Sequence, residues 1–300
     1  MREPVFTGAC TAMVTPFTQS GAVNYDQFAR LIDRQLEGGV DAVCVCGTTG
    51  ESATLSVREH IRLVKACVRR VNGRARVIAG AGSNDTAAAL RLSRHAQDAG
   101  ADALLLVTPY YNKATQDGLI QHYTTIADQV EVPILLYNVP SRTGVSFTAE
   151  TYRVLSQHPN INGVKEASGN FSLLSHTRAL CGPDFHIWSG NDDQVVPMMS
   201  LGAEGVVSVA ANLAPEAMVR MSHLCLEGDF KQAAALQLRY QALMDALFIE
   251  VNPIPIKAAL NLAGWDAGSL RLPLCALSDS HREVLRKAME EAGLLQKPAA

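Results

Sequence analysis

The sequence predicts a single (β/α)8 barrel, a TIM barrel, carrying a C-terminal helical extension, and three features point to it. Short runs rich in Val, Ile and Leu recur about eight times, each followed by a stretch with helical spacing, the pattern of repeated βα units. The chain has 300 residues, enough for a barrel of about 250 residues plus an extension. The handovers from helix to strand also echo one another. Gly39-Val40-Asp41-Ala42, Gly100-Ala101-Asp102-Ala103 and Gly202-Ala203-Glu204-Gly205 each set a glycine terminator and an acid before an apolar run. Repeated units of this kind fit a closed barrel or a doubly wound open sheet, and eight of them favour the barrel.

The first strand is expected over residues 8–14. In the helix after it, Phe28, Leu31, Ile32 and Leu36 share one face, with Asn24 as its cap and Gly38 as its stop. The second strand, 42–46, leads into a helix announced by a capping box of Ser56 and Glu59. Val57, Ile61, Val64, Val68 and Val71 then follow at helical spacing. Further strands are expected at 76–79, 103–107, 133–137, 161–165, 185–189 and 205–210. Beyond about residue 213 the strand signals stop, and 215–227, 230–251, 255–262 and 280–292 read as helices. The expected division is residues 1–224 as barrel and 225–300 as a helical domain.

Composition narrows the function classes. The chain is 48% hydrophobic and 18% charged, with a formal net charge of -3 and no basic run. It therefore lacks the electrostatic footprint of a nucleic-acid or anionic-membrane binder, and a small molecule is the expected partner. No stretch approaches the roughly 20 apolar residues of a membrane span. The first residues also lack the apolar run of a signal peptide, so a cytoplasmic location is expected. Seven scattered cysteines, mostly inside apolar runs, read as reduced core residues.

In barrel enzymes the chemistry sits at the C-terminal ends of the strands. Five of these ends are polar and contain glycine or proline: Gly47-Thr48-Thr49-Gly50-Glu51, Thr108-Pro109-Tyr110-Tyr111-Asn112, Tyr137-Asn138-Val139-Pro140-Ser141-Arg142, Lys165-Glu166-Ala167-Ser168-Gly169 and Ser189-Gly190-Asn191-Asp192. Lys165 continues the alternation of Gly163 and lies opposite Val164. If Val164 packs on helices, Lys165 points into the barrel. Desolvation favours the neutral amine of a lysine, which makes a buried lysine a candidate nucleophile toward a carbonyl. The rival for Lys165 is a structural ion pair, and position alone does not choose between them.

Tyr137, on the same inward face as Leu135, would bring a phenol beside that lysine, where it could move protons or merely pack. Thr48 and Thr49 suit a small carboxylate or a plain turn. Arg142 suits a second carboxylate or a solvated loop. Gly80-Ala81-Gly82 lacks the third glycine of a dinucleotide site. The eight histidines show no HxH or HExxH spacing, so neither a cofactor nor a catalytic metal is expected.

Together the strand-end motifs resemble the dihydrodipicolinate synthase (4-hydroxy-tetrahydrodipicolinate synthase) family, within the pyruvate-dependent Schiff-base aldolases. Besides the segments above, Gly163-Val164-Lys165-Glu166-Ala167 and Asn252-Pro253-Ile254-Pro255-Ile256-Lys257 carry this resemblance, which runs nearly end to end. It implies a cofactor-independent lyase in which Lys165 forms an imine with pyruvate, whose enamine adds to aspartate semialdehyde. It further implies a proton relay of Tyr137, Thr48 and Tyr111, the last reaching in from a neighbouring subunit of a homotetramer. Thr49 would hold the pyruvate carboxylate and Arg142 the semialdehyde carboxylate, while Gly190 and Val207 line the pocket.

N-acetylneuraminate lyases and keto-sugar-acid aldolases share the lysine and tyrosine. The paired Thr48-Thr49 and the Ser141-Arg142-Thr143 loop resemble the synthase instead. A non-catalytic barrel that senses a 2-oxo acid, with Lys165 as a charged anchor, is the rival from another class. One departure concerns regulation. Ser52, Ala53, His60, Asn84 and Tyr110 match lysine-inhibited members of the family, whereas Val57 stands where these carry a histidine and Ala88 where they carry a glutamate.

Overall fold

The computed structural model describes residues 2–295. Eight parallel strands close into a barrel in strict sequence order: β1 (Gly8–Ala12), β2 (Ala42–Val45), β3 (Arg76–Gly80), β4 (Ala103–Val107), β5 (Ile134–Asn138), β6 (Ile161–Glu166), β7 (His186–Ser189) and β8 (Gly205–Ser208). Closure between β8 and β1 pairs Gly8 with Gly205 and Cys10 with Val207, which leaves no free edge. Around the barrel run α1 (Tyr25–Glu37), α2 (Val57–Val71), α3 (Thr86–Asp98), α4 (Gln116–Ala127), α5 (Pro140–Thr143), α6 (Ala149–Leu155), α7 (Phe171–Cys181), α8 (Val195–Ser200) and α9 (Pro215–Leu226). Then follow α10 (Phe230–Ala246), α11 (Ile254–Leu262) and α12 (Asp279–Glu291). α10 packs on α8, α9 and α12, and α11 packs on α12 and on the turn 210–212 that follows β8.

Strand alternation divides the core into two clusters. One fills the barrel and includes Cys10, Ala42, Cys44, Ile78, Leu105, Leu135, Tyr137, Trp188 and Val207. The other lies between strands and helices and takes the opposite parity, with Val43, Val45, Val77, Leu104, Leu106, Ile134, Leu136, Val164 and Val206. Because a strand turns successive side chains to opposite faces, every inward residue is fixed by its outward neighbour. Phe6 stacks on Trp188 at 5.2 Å between ring centres and plugs the N-terminal end of the barrel, so the open space lies at the other end.

All eight expected strands are present, with small shifts at their ends. β1 stops at Ala12 rather than residue 14 because the Val14 N–H donates to Asn212 Oδ1 instead of to a strand. β8 stops at Ser208 rather than residue 210 because Asp192 Oδ2 accepts from the N–H groups of Val209 and Ala210. Asn24 caps α1 through the Gln27 N–H, and Ser56 and Glu59 form the capping box of α2. The buried face of α2 is a correction. It consists of His60, Leu63, Val64, Cys67 and Val71, while Val57 is 56% exposed.

The helix expected over 230–251 ends at Ala246. The residue before a proline disfavours helical backbone, and the chain must leave the helix for Asn252 to reach the barrel mouth. Of the seven cysteines, Cys181 is half-buried and Cys275 exposed, and the other five are buried as expected.

Candidate active site

β5 and β6 set Tyr137 beside Lys165 in register, and β7 sets Trp188 on the other side of Lys165. Val164 packs outward among the helices, so the lysine turns inward and is only 5% exposed. Its ammonium lies 4.3 Å from the centre of the Tyr137 ring. Among the described residues Lys165 makes neither an ion pair nor a hydrogen bond to a side chain or backbone group. The adjacent Glu166 is no partner. It turns to the outer layer and accepts from Asn138 Nδ2, the Tyr152 hydroxyl and the Ser168 N–H.

Only two of the described lysines are buried, and the other, Lys257, has the partner that Lys165 lacks. Lys257 Nζ lies 2.8 Å from Glu51 Oε1 and also donates to the carbonyls of Thr15 and Ser269. Lys257 is therefore clamped by a carboxylate and two carbonyls, whereas the Lys165 amine meets only the face of Tyr137 and is left free to react. The structural ion pair weighed for a buried lysine is thus found at Lys257, not at Lys165.

Gly190, just after β7, makes room for the Lys165 side chain. A Cβ on it would lie 3.1 Å from Lys165 Cε and 2.6 Å from the Ala167 Cβ. Val207 is buried inside the barrel with Leu135 and Tyr137. Cys44, also in the interior, is no competing nucleophile, since burial pushes its thiol up to about 11 and leaves it protonated at neutral pH. Asp192 is buried close by. Desolvation raises its carboxyl above the usual range, while the Lys165 charge and hydrogen bonds from Ser208, Val209 and Ala210 oppose the rise.

The turn after β2 supplies the threonines. Cys46 and Glu51 bracket it with left-handed backbone, at φ 57° and 54°. Thr48 lines a cavity of about 450 Å3 at the barrel mouth with Tyr137, Arg142 and Asn252. Thr49 is buried, and its hydroxyl accepts from Asn252 Nδ2 at 3.0 Å. Arg142, on the short helix α5, is exposed at the rim and donates through Nη2 to the Asn252 carbonyl at 3.1 Å. Lys165 sits deeper, behind the Tyr137 ring.

Of the eight candidate residues, Tyr111 alone stands apart. It is 90% exposed with left-handed backbone at φ 75°; Thr49, Lys165, Gly190 and Val207 do not line the cavity either, but those four are buried or half-buried. Asn252, Glu51 and Lys257 have no role in the sequence-based reading although they tie this mouth together. One signal for them is visible in the sequence: Lys257 is the lone charge in the apolar helix α11.

Chemically, the mouth offers a buried amine without a counter-ion, a phenol against it, two hydroxyls and a guanidinium at the rim. That set suits covalent chemistry on a small carbonyl compound, with donors for more than one carboxylate.

The chain matches the family described as dihydrodipicolinate synthetase over residues 5–292. It is 49% identical over 295 residues to a 4-hydroxy-tetrahydrodipicolinate synthase of Thermoanaerobacter sp., covering 98% of this chain and 99% of that one. Among solved structures it is similar to the dihydrodipicolinate synthase of Acinetobacter baumannii complexed with pyruvate. There the TM-score is 0.95 at 42% identity, over 96% of this chain and 99% of that one. The enzyme of Cyanidioschyzon merolae with lysine bound superposes equally well, with a TM-score of 0.95 at 43% identity, over 98% of this chain and 100% of that one.

Proposed function

The chain belongs to the dihydrodipicolinate synthetase family, and from that premise we propose that Lys165 is the amine on which its reaction runs. The protein is a lyase that condenses pyruvate with L-aspartate 4-semialdehyde to 4-hydroxy-tetrahydrodipicolinate, on the route to diaminopimelate and lysine. The Lys165 amine adds to the pyruvate carbonyl and water leaves to give an imine. Loss of a proton from the methyl carbon gives an enamine, which attacks the aldehyde carbon; the semialdehyde's amino group then adds to the imine carbon, closing the ring as the Lys165 amine leaves. Tyr137 is the proton carrier nearest the amine, and Thr48 continues the relay toward the cavity.

Thr49 holds the pyruvate carboxylate, Arg142 the semialdehyde carboxylate, and Gly190 and Val207 shape the floor of the pocket. Tyr111, turned away from its own cavity, completes the relay of a neighbouring subunit in a homotetramer. The enzyme works in the cytoplasm, and no helix among the described residues is long and apolar enough to cross a membrane. The observation that carries this reading is the buried, unpaired amine of Lys165 against Tyr137. Its test is an assay of pyruvate with aspartate semialdehyde beside N-acetylneuraminate cleavage. Condensation without cleavage is expected, and the reverse result transfers the site to the lyase branch of the superfamily.

Arg142→Ala separates the two substrates. Loss of a charge-assisted hydrogen bond to a carboxylate is worth about 1.5–3 kcal/mol, so the KM for the semialdehyde should rise roughly tenfold to a hundredfold. Imine formation with pyruvate should be spared. Equal damage to both steps refutes a role confined to the second carboxylate.

Feedback by lysine should be weak or absent. Ser52, Ala53, Val57, His60 and Tyr110 line the same cavity, and Asn84 Nδ2 donates to the Tyr110 carbonyl. Val57 and Ala88 nevertheless leave this face without the histidine and the glutamate of lysine-sensitive relatives. A missing carboxylate against the effector's ammonium costs roughly tenfold to a hundredfold in affinity. Half-inhibition at submillimolar lysine contradicts this expectation.

A further inference from the structure

Asn252 touches both residues assigned to carboxylates, although it lies on the far side of the sequence from each. Its side-chain Nδ2 donates to Thr49 Oγ1 at 3.0 Å, and its main-chain carbonyl accepts from Arg142 Nη2 at 3.1 Å. The other side-chain atom, Oδ1, is buried and has no hydrogen-bond partner among the described residues. The geometry points to Asn252 as a positioning residue that sets the Thr49 hydroxyl as a donor toward pyruvate and anchors Arg142 for the second substrate. This inference rests on the site reading above.

The direction of the Thr49 bond is what matters. A threonine hydroxyl carries one proton and two acceptor lone pairs, and a carboxylate can only accept. Because Asn252 fills an acceptor position on Thr49 Oγ1, the hydroxyl proton is left free to be donated to a bound carboxylate. Had Thr49 met a carbonyl instead, it would spend that proton on the protein. At the rim, the Asn252 carbonyl takes one of the five N–H donors of Arg142 and leaves the rest of the fork open.

The arrangement is held from both ends. Glu51, two residues beyond Thr49, and Lys257, five beyond Asn252, form the buried ion pair at 2.8 Å. The two segments are thereby pinned side by side. Side-chain and main-chain roles also fall on different substrates: the amide serves the pyruvate end and the carbonyl serves the aldehyde end.

A double-mutant cycle in the full-length enzyme tests this, with Asn252→Ala, Thr49→Val and their combination assayed for both substrates. Asn252→Ala is expected to raise the KM for pyruvate about fivefold to tenfold, the scale of one lost hydrogen bond. The KM for the semialdehyde should stay near wild type, since the carbonyl remains. In the Thr49→Val background the same substitution should add nothing to the pyruvate KM, because the hydroxyl it orients is gone. Asn252→Asp keeps the shape but offers Thr49 an acceptor, so it should raise the pyruvate KM at least as much. Parallel rises in both KM values, or full additivity in the double variant, overturn the assignment. Wild-type protein with no turnover and no reduced pyruvyl adduct overturns instead the site reading on which it rests.

Discussion

Lys165→Arg is expected to abolish turnover, by more than about a thousandfold, because a residue acting in concert with its neighbours takes most of the catalysis with it when removed. Arginine is the informative choice. Its guanidinium keeps the positive charge and pairs well with carboxylates, yet it does not become a neutral amine at working pH. If Lys165 served only to attract a 2-oxo acid by charge, the arginine variant would still bind pyruvate and lose little. If it forms the imine, borohydride reduction in the presence of pyruvate adds a pyruvyl group to the wild-type chain and none to the variant. Mass spectrometry of the two reduced proteins reads this out. The space beside Lys165 Cε is the space that Gly190 leaves by having no Cβ, so Lys165→Ala runs beside it as the smaller replacement. An adduct on either variant removes Lys165 from the mechanism.

That lysine was legible in the sequence because one alternation decides it. Val164 is an ordinary outward strand residue, and its neighbour therefore faces the axis. The same rule made all eight strands visible, since each is a short apolar run whose two faces are both buried. Strand ends were less legible, because distant side chains set them: Asn212 takes the Val14 N–H and Asp192 takes those of Val209 and Ala210.

The face of α2 was misjudged for a different reason. The series from Val57 and the series from His60 have the same helical spacing, and the polar label of His60 hides that its ring is buried. That ring bonds the Gly80 carbonyl at 2.6 Å, and burial holds it below the usual histidine range. Asn252 was visible only as part of a motif, for its role exists only once closure of the fold brings it to Thr49. Lys257 was half-visible, as a charge in an apolar helix with no indication of its partner.

That partner makes Lys257 the strongest stability prediction. Lys257→Met should destabilise the fold by about 3–5 kcal/mol, the scale for breaking a buried pair by removing one member. Lys257 is 1% exposed and its ammonium touches Glu51, the Thr15 and Ser269 carbonyls and the face of Phe17, at 4.4 Å from the ring centre. Desolvation pulls that ammonium below its ordinary range and the Glu51 charge opposes the pull, so the two charges are tolerated in the core only together.

Methionine fills the same space without a charge and strands Glu51, whose Oε2 keeps only the Arg271 N–H. With about 2.1 cal/mol/K of unfolding entropy per residue, a loss of this size lowers the melting midpoint of a chain this long by about 5–8 °C. Adding Glu51→Gln to the methionine variant should restore part of the loss, because the unpaired charge is gone. The restoration stays incomplete, since the Thr15 and Ser269 carbonyls still lack their donor. Calorimetry of the two variants beside wild type checks the order. A single variant as stable as the double one would mean that Glu51 is relieved by protonation or solvent, and that the pair does not hold the barrel mouth to α11.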